Sequence, residues 1–386
     1  MIRLLELLIA LVVVAVLFVV FGAVLPQHRS VQQVTETNRA LPVVFDLMNG
    51  FKRFKDWNEL RKLDPKVKLT ISGPDSGVGA HLDFSSTNPA VGSGSWQITN
   101  VVPNERIDFE IKDDAYGTNK KMSLRFKKIG QNKKTVEITE AYSVDYGWNL
   151  FGRYAGMYIR RSAGDRMKSS LSSLSALLAT VPKFDYTRLP NPISIVEVPA
   201  ENLLYAPTEA KRANDEVQSA MVTQMKWLKQ VIDKNNLVAT GPVRVIDTNF
   251  GAESYEFDLA IPVRKRGGSG TDTTDSAKTD EAATNTDAEP AIDTAAPVGG
   301  PLQTLEVKLD GPVKYRQTQA LRTVTVNFTG HPAALPAVRD SMKAWAVTHG
   351  EDVTDRPWEV YNKGIAGSFV EDGEFAIFWP LKPVAQ

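Results

Sequence analysis

The chain opens with an uncharged, mostly aliphatic run from Leu7 to Leu25, and beyond Pro26 polar positions interrupt every apolar stretch. A helix rising about 1.5 Å per residue needs roughly 20 apolar residues to cross a hydrocarbon core, and residues 4–25 supply them with Glu6 as their one charge. A cleavable signal carries a shorter apolar stretch and a small-x-small site, which Gly22-Ala23-Val24-Leu25-Pro26 lacks. The pattern predicts a retained transmembrane anchor. Within 31–182 the period becomes two: Leu82 and Phe84, Trp96 and Ile98, Ile107, Phe109 and Ile111, Met122, Leu124 and Phe126, then Val136 and Ile138 alternate with polar residues. Such alternation predicts an antiparallel sheet with one apolar face. A short amphipathic helix around Val43–Met48 precedes it. A long one from about Arg153 to Ala179 follows, with Met157, Met167, Leu171, Leu174 and Leu178 at helical spacing. A sheet covered by that helix encloses an apolar space, either a filled core or a ligand cavity.

Residues 183–192 form a proline-containing linker, after which a pattern occurs twice. Tyr255-Glu256-Phe257-Asp258-Leu259-Ala260-Ile261-Pro262 matches Gly373-Glu374-Phe375-Ala376-Ile377-Phe378-Trp379-Pro380, with Glu six residues before Pro in both. Upstream, helices over Ala210–Lys234 and Pro332–Gly350 carry Met225-Lys226-Trp227 and Met342-Lys343-Ala344-Trp345. Each leads to a strand beginning at Pro242 or Pro357. Before each helix a strand pair is expected, Ile193–Val198 with Asn202–Pro207 and Leu305–Leu309 with Leu321–Gly330. The unit β-β-α-β-β is thus duplicated over 193–382, and two copies fit around a pseudo-twofold axis. Residues 265–301 interrupt the domain, and across Gly267–Gly300 Gly, Ser, Thr, Ala and acids stand against Lys278 alone, a composition that predicts a disordered, solvated insertion.

Composition narrows the chemistry. Lys plus Arg and Asp plus Glu both number 45, so no basic excess draws a phosphate backbone, and nucleic acid is not an expected partner. His28, His81, His331 and His349 are scattered and cysteine is absent, so neither a metal nor another cofactor is expected. The Gly77–Gly79 and Gly92–Gly94 clusters connect strands and do not open a helix before Lys-Ser/Thr, which makes them hairpin turns and not phosphate loops. No acid, base and nucleophile stand together to mark catalysis.

The N-terminal order of strand, short helices with Trp57 before Asp64-Pro65, the Gly73-Pro74 and Gly92-Ser93-Gly94-Ser95-Trp96 turns, further strands and a final helix resembles the SRPBCC family (START-like, polyketide cyclase/dehydrase and lipid transport). That resemblance implies a helix-grip sheet around a cavity for apolar molecules, with Trp57, Trp96, Phe109 and Phe126 as candidate lining. The duplicated half resembles the GyrI-like effector-binding family, the ligand domain attached to some multidrug-sensing regulators. It implies an aromatic pocket with a buried carboxylate, and the carry-over falls on Glu374 and Tyr361. Glu256, Trp227, Trp345, Trp358 and Trp379 are the further candidates, since a cation between a carboxylate and aromatic faces gains about 0.5 to 2 kcal/mol per ring. The helix-turn-helix of the regulators is not visible here.

The expected fold class is α+β, with a transmembrane helix, a helix-grip domain and a duplicated domain. The expected function is a membrane-tethered binding protein for apolar or amphipathic small molecules, lipid-like or bulky and cationic, in transport or sensing. Its expected partners are such a ligand and the bilayer through residues 4–25. An enzyme of hydrolase or cyclase type using a pocket carboxylate, and an envelope scaffold with filled cores, are the alternatives. The expected location is a bacterial inner membrane. Arg3 stands on one side of the span and Arg29 and Arg39 on the other, and short N-terminal anchors commonly leave the bulk of the chain outside the cytoplasm.

Overall fold

The computed structural model describes residues 2–251, 253–266 and 302–383. The chain is α+β, with antiparallel sheets and one apolar N-terminal helix, and it divides into two compact units. The first is Met1–Thr187 with Val347–Gly350, the second Arg188–Ala346 with Glu351–Gln386. The insertion expected at 265–301 lies outside the described residues except for 265 and 266.

The first unit starts with α1 (Ile2–Val24), long and apolar enough to cross a membrane, a property that a signal sequence shares. Then come β1 (His28–Thr37), the short helices α2 (Leu41–Met48), α3 (Phe54–Trp57) and α4 (Leu60–Leu63), and β2 (Lys68–Ser72). The meander continues through β3 (His81–Ser85), β4 (Ser93–Val102), β5 (Arg106–Asp113), β6 (Thr118–Ile129) and β7 (Thr135–Asp145). These seven strands form one antiparallel sheet in the order β1-β7-β6-β5-β4-β3-β2. The alternating apolar residues face one side. Leu82, Ile98, Ile107, Leu124 and Ile138 are fully buried against Val44, Phe51 and Trp57 from the short helices and Leu171, Leu174 and Leu178 from the last helix. Each such side chain contributes about 1.5 to 3 kcal/mol by leaving water.

The helix expected from Arg153 to Ala179 is interrupted. It comprises α5 (Leu150–Ala155), a 3-10 turn at Gly156–Tyr158, a π turn at Arg160–Gly164, and α6 (Asp165–Thr180). Close approach explains the small residues here. A Cβ on Gly152 or Gly156 would lie 2.8 or 2.6 Å from the Tyr146 ring, and one on Gly164 would lie 3.2 Å from Val31. The backbone of this stretch is pressed onto β1 and the end of β7, and its pitch changes where the contact is tightest.

The second unit comprises β8 (Ser194–Val198), β9 (Asn202–Lys211), α7 (Asn214–Lys234), β10 (Leu237–Ala239), β11 (Arg244–Phe250) and β12 (Ser254–Lys265). After the undescribed residues follow β13 (Lys314–Gln317), β14 (Leu321–Thr329), α8 (Leu335–Thr348), β15 (Trp358–Tyr361) and β16 (Glu374–Pro380). Its sheet runs β13-β9-β12-β11-β15-β16-β14-β8, with β10 on β12. The two matched strands, β12 and β16, occupy corresponding places on either side of the central β11–β15 pair.

Two expectations are corrected. Leu305–Leu309 is not a strand, because its backbone bonds to side chains instead of a ladder. Lys308 N donates to Asn235 Oδ1 at 2.7 Å, the Lys308 carbonyl accepts from Asn235 Nδ2 at 3.0 Å, and Leu305 N donates to Tyr315 Oη at 3.0 Å. Nor do β8 and β9 pair with each other. β8 joins β14, and β9 joins β12 and β13, a short strand outside the expected unit. In a flat sheet six strand spacings would separate β8 from β9 by about 29 Å, yet the intervening residues 199–201 reach only about 14 Å. The sheet must curl until its edges converge.

Gly94 tests the packing of the first sheet. It sits between Phe84 and Asp113 in register, and a Cβ there would lie 2.1 Å from the Lys112 carbonyl oxygen and 2.7 Å from Phe84 Cζ. Gly94→Val is expected to destabilise the first unit by about 3 kcal/mol, the upper end for overpacking. Thermal unfolding of the full chain followed by near-ultraviolet circular dichroism checks it, and an unchanged transition refutes it.

Candidate functional site

Between the first sheet and its helices lies a cavity of about 260 Å³. The sheet supplies Phe84, Trp96, Ile111, Met122, Glu140 and Tyr142, and the connection between α3 and α4 supplies Asn58, Glu59 and Leu60. The helical stretch that follows β7 supplies Ile159, Ser162, Ala163, Arg166, Met167 and Ser170. Polar and apolar surface share the walls equally, a mixed lining in which charged and hydroxyl groups converge on the space beside aromatic and aliphatic side chains.

Glu140 is the most consequential of these. It follows Val136 and Ile138 at period two on the buried face of β7, so strand geometry directs its carboxyl into the apolar interior. The residue is 1% exposed, and its Oε2 has no hydrogen-bond partner among the described residues. An ionised carboxylate there would be costly, and the group responds by holding its proton. Burial, followed by repulsion from Glu59, pushes the Glu140 carboxyl up to about 8.

Glu59 is the second carboxylate. Its backbone N–H donates to Ser170 Oγ at 3.1 Å, which pins the α3–α4 connection to α6. Burial raises its carboxyl to about 7, even though Arg166 and Lys62 favour the charged form. Arg166 Nε lies 3.5 Å from Glu59 Oε1, with nearly half of the arginine side chain exposed. Elsewhere on the cavity wall Asp113 is paired with the buried Lys120, whose Nζ also donates to the Ala115 carbonyl at 2.6 Å. Burial therefore raises two carboxyls toward neutrality on one cavity, one ion-paired and one with an unmatched oxygen.

The second unit has a smaller pocket of about 150 Å³, lined by Tyr255, Tyr361, Arg339 and Phe369 with residues from the starts of α7 and α8. Behind it Arg339 donates to Glu359 Oε1 at 2.5 Å and lies 3.3 Å from Asp247 Oδ2. Burial raises the Glu359 carboxyl and Arg339 offsets it. Burial opposes the Arg339 charge, but Glu359 and Asp247 more than compensate. Here the buried carboxylate already has its cation.

The residues proposed from sequence are dispersed. Trp96 lines the first cavity. Trp57, Phe109 and Phe126 are buried core, packed edge-on with Phe54, Trp96 and Phe45 respectively. Tyr361 reaches the second pocket, but Glu374 does not; its side chain is 51% exposed and its Oε1 lies 3.3 Å from Lys363 Nζ. The most deeply buried carboxylate described in this unit is Glu359, with Asp258 buried elsewhere in it. Glu256 is partly exposed beside Asn249, and Trp227 packs on Gly311. Trp358 stacks on Phe378 in a separate cluster, Trp379 Nε1 donates to the Asp355 carbonyl, and Trp345 packs against the unit's core. Glu140 and Glu59 were not singled out. The signal for Glu140 was present, since a carboxylate two residues after Ile138 continues the apolar face.

No protein-family model matches the chain, and no curated protein matches it. Among solved structures the chain is similar to the EcmrR C-terminal domain at 14% identity and TM-score 0.34, over 51% of this chain and 100% of that one. It is similar to norcoclaurine synthase from Thalictrum flavum, solved with dopamine and hydroxybenzaldehyde, at 14% identity and TM-score 0.32, over 39% and 87%. The Aha1 dimer from Colwellia psychrerythraea gives 12% identity and TM-score 0.28, over 39% and 97%. Likeness at these scores carries neither family nor function to this chain.

A raised carboxyl pKa has a definite sign in stability. Folded Glu140 holds its proton up to about 8 while its unfolded value is near 4.5, so its contribution is fully present below 4.5 and is lost as pH rises through 8. The full chain in detergent is expected to lose unfolding midpoint between pH 5 and pH 9, about the window of that shift. Glu140→Gln should flatten the loss, and an equal loss in the variant would refute the assignment.

Proposed function

We propose that the chain is a membrane-anchored binding protein for an amphipathic small molecule, held in the cavity of the first unit. The observation that carries this reading is the unmatched Oε2 of Glu140, buried on the wall of a cavity of mixed polarity beside Glu59. An orphaned polar atom of this kind costs about 1 to 3 kcal/mol and is relieved by any partner that brings a donor. The ligand is an apolar body that fits Phe84, Trp96, Ile111 and Met122, bearing a cationic or hydrogen-bond-donating group for Glu140. The helix-grip architecture is part of the proposal, as are a pseudo-twofold second domain and its small pocket.

Retention of α1 is also part of it, and one contact supports it. Arg153, fully buried on α5, donates from Nη1 to the carbonyls of Gly22, Ala23 and Leu25 at 3.2, 2.7 and 3.3 Å. These are the open acceptors at a helix C-terminus, and a cation there is favoured by the helix dipole. Cleavage of α1 would strip Nη1 of these acceptors and leave the buried guanidinium with the Gly147 carbonyl, to which its Nε donates at 2.7 Å.

A second reading is an enzyme in which Glu59 and Glu140 exchange protons with a bound substrate, favoured by their shifts to about 7 and about 8. In that case both Glu59→Gln and Glu140→Gln abolish turnover of any ligand that the wild type converts.

The binding reading is tested with the full chain in lipid nanodiscs and two dansylated probes, a long-chain primary amine and its neutral acetamide, with energy transfer from tryptophan as readout. Wild type should bind the amine, more tightly as pH rises through the Glu140 transition. Glu140→Gln should weaken the amine by about ten- to a hundredfold, the worth of a charge-assisted hydrogen bond, and leave the acetamide unchanged. Equal affinities of wild type and variant for the amine would count against Glu140 as the recognition group.

A further inference from the structure

The stretch joining β7 to the cavity-lining helix carries large apolar and aromatic side chains in the open. Trp148 is 78% exposed, Phe151 67%, Met157 53% and Tyr158 65%. They cluster along a short length of chain, and Arg160 and Arg161, also exposed, follow them. An exposed patch of this composition has a partner, because water is a poor neighbour for it.

What covers it follows from its position beside α1. The Tyr154 ring stacks on Phe18 at 4.6 Å, its hydroxyl donates to the Phe18 carbonyl at 2.8 Å, and the Phe151 ring lies 5.4 Å from Phe18. Leu150 and Tyr154 crowd Gly22, where a Cβ would lie 3.1 Å from each. Together with the Arg153 contacts, this fixes α5 alongside the last two turns of α1.

The length of the span then decides the depth. Residues 4–25 rise about 33 Å, enough for a hydrocarbon core of roughly 30 Å. Were α5 held wholly in water, the turns from Phe18 onward would leave the bilayer with it. The fourteen residues from Leu4 to Leu17 rise only about 21 Å, well short of a span. Phe21 and Val24 agree, being 63% and 79% exposed at the same level as α5. The side chains on offer suit the boundary layer, since Trp and Tyr favour the headgroup zone and arginine pairs with phosphate there.

We infer that Trp148–Tyr158 is a membrane-docking surface, seated in the interfacial layer of the lipid bilayer beside the end of α1. This rests on the reading of α1 as a retained span. It adds a consequence for the cavity: Ile159, Ser162 and Ala163, which line it, directly follow the docked residues, so the cavity wall begins where the lipid ends. A ligand dissolved in the bilayer then reaches the cavity without crossing bulk water.

The absence of cysteine allows a direct test by single-site spin labelling of the full chain in phosphatidylcholine–phosphatidylglycerol nanodiscs. Labels go on Trp148→Cys, Phe151→Cys and Tyr158→Cys. Val12→Cys serves as the reference inside the span. Asn132→Cys serves as the water reference, because the β6–β7 ladder runs from Thr118↔Asp145 near α5 to Ile129↔Thr135 at the far end. Collisions with lipid-soluble oxygen should exceed those with a water-soluble nickel chelate at 148, 151, 158 and 12, and the order should invert at 132. Water-like values at 148, 151 and 158 with position 12 in lipid overturn the docking surface and leave the anchor standing. Water-like values at position 12 overturn both.

Discussion

A carboxyl group on the apolar face of a β-strand is the constraint on which the site depends. The period of two leaves Glu140 no route to solvent, because Val136, Ile138 and Tyr142 share its face. Burial without a partner favours the protonated form, and the nearby Glu59 reinforces it. At neutral pH Glu140 therefore adds no charge to a wall that already carries Arg166 and the Asp113–Lys120 pair. On the proposed binding of a cation, recognition and proton release are coupled by the same group.

The second unit solves the same problem in the opposite way. Glu359 is as deeply buried as Glu140, yet Arg339 meets it at 2.5 Å and Asp247 shares the cation. Each carboxylate of the cluster thus has the Arg339 cation beside it, although Asp247 Oδ1 has no hydrogen-bond partner among the described residues, and removing one member would strand a charge at a cost of about 3 to 5 kcal/mol. The two deepest carboxylates therefore differ in one respect: Glu359 has a cation beside it, and Glu140 Oε2 has no partner among the described residues.

Much of this was legible in the chain. The alternation of Leu82 to Ile138 gave the first sheet, and the repeated strands ending at Pro262 and Pro380 marked the corresponding places in the second. The pitch changes from Gly156 to Gly164 were not legible, because they depend on where the Tyr146 ring falls in space. Leu305, Val307 and Leu309 alternate like a strand, but Asn235 and Tyr315 take their backbone bonds, and no local pattern reveals that. The choice of Glu374 shows a different limit. Tyr361 was identified, and Glu359 lies two residues before it on the same face of β15; following that period would have reached the buried carboxylate. Glu59 and Glu140 meet only through the fold, so no spacing could join them.

Glu140 stays protonated at neutral pH because no described side chain pairs with its buried Oε2. Carbon-13 NMR of the full chain with side-chain carboxyl labelling, assigned by loss of one signal in Glu140→Gln, measures this directly. A Glu140 midpoint near 8 is the predicted result. A midpoint near the ordinary glutamate value of 4.5 would contradict the account.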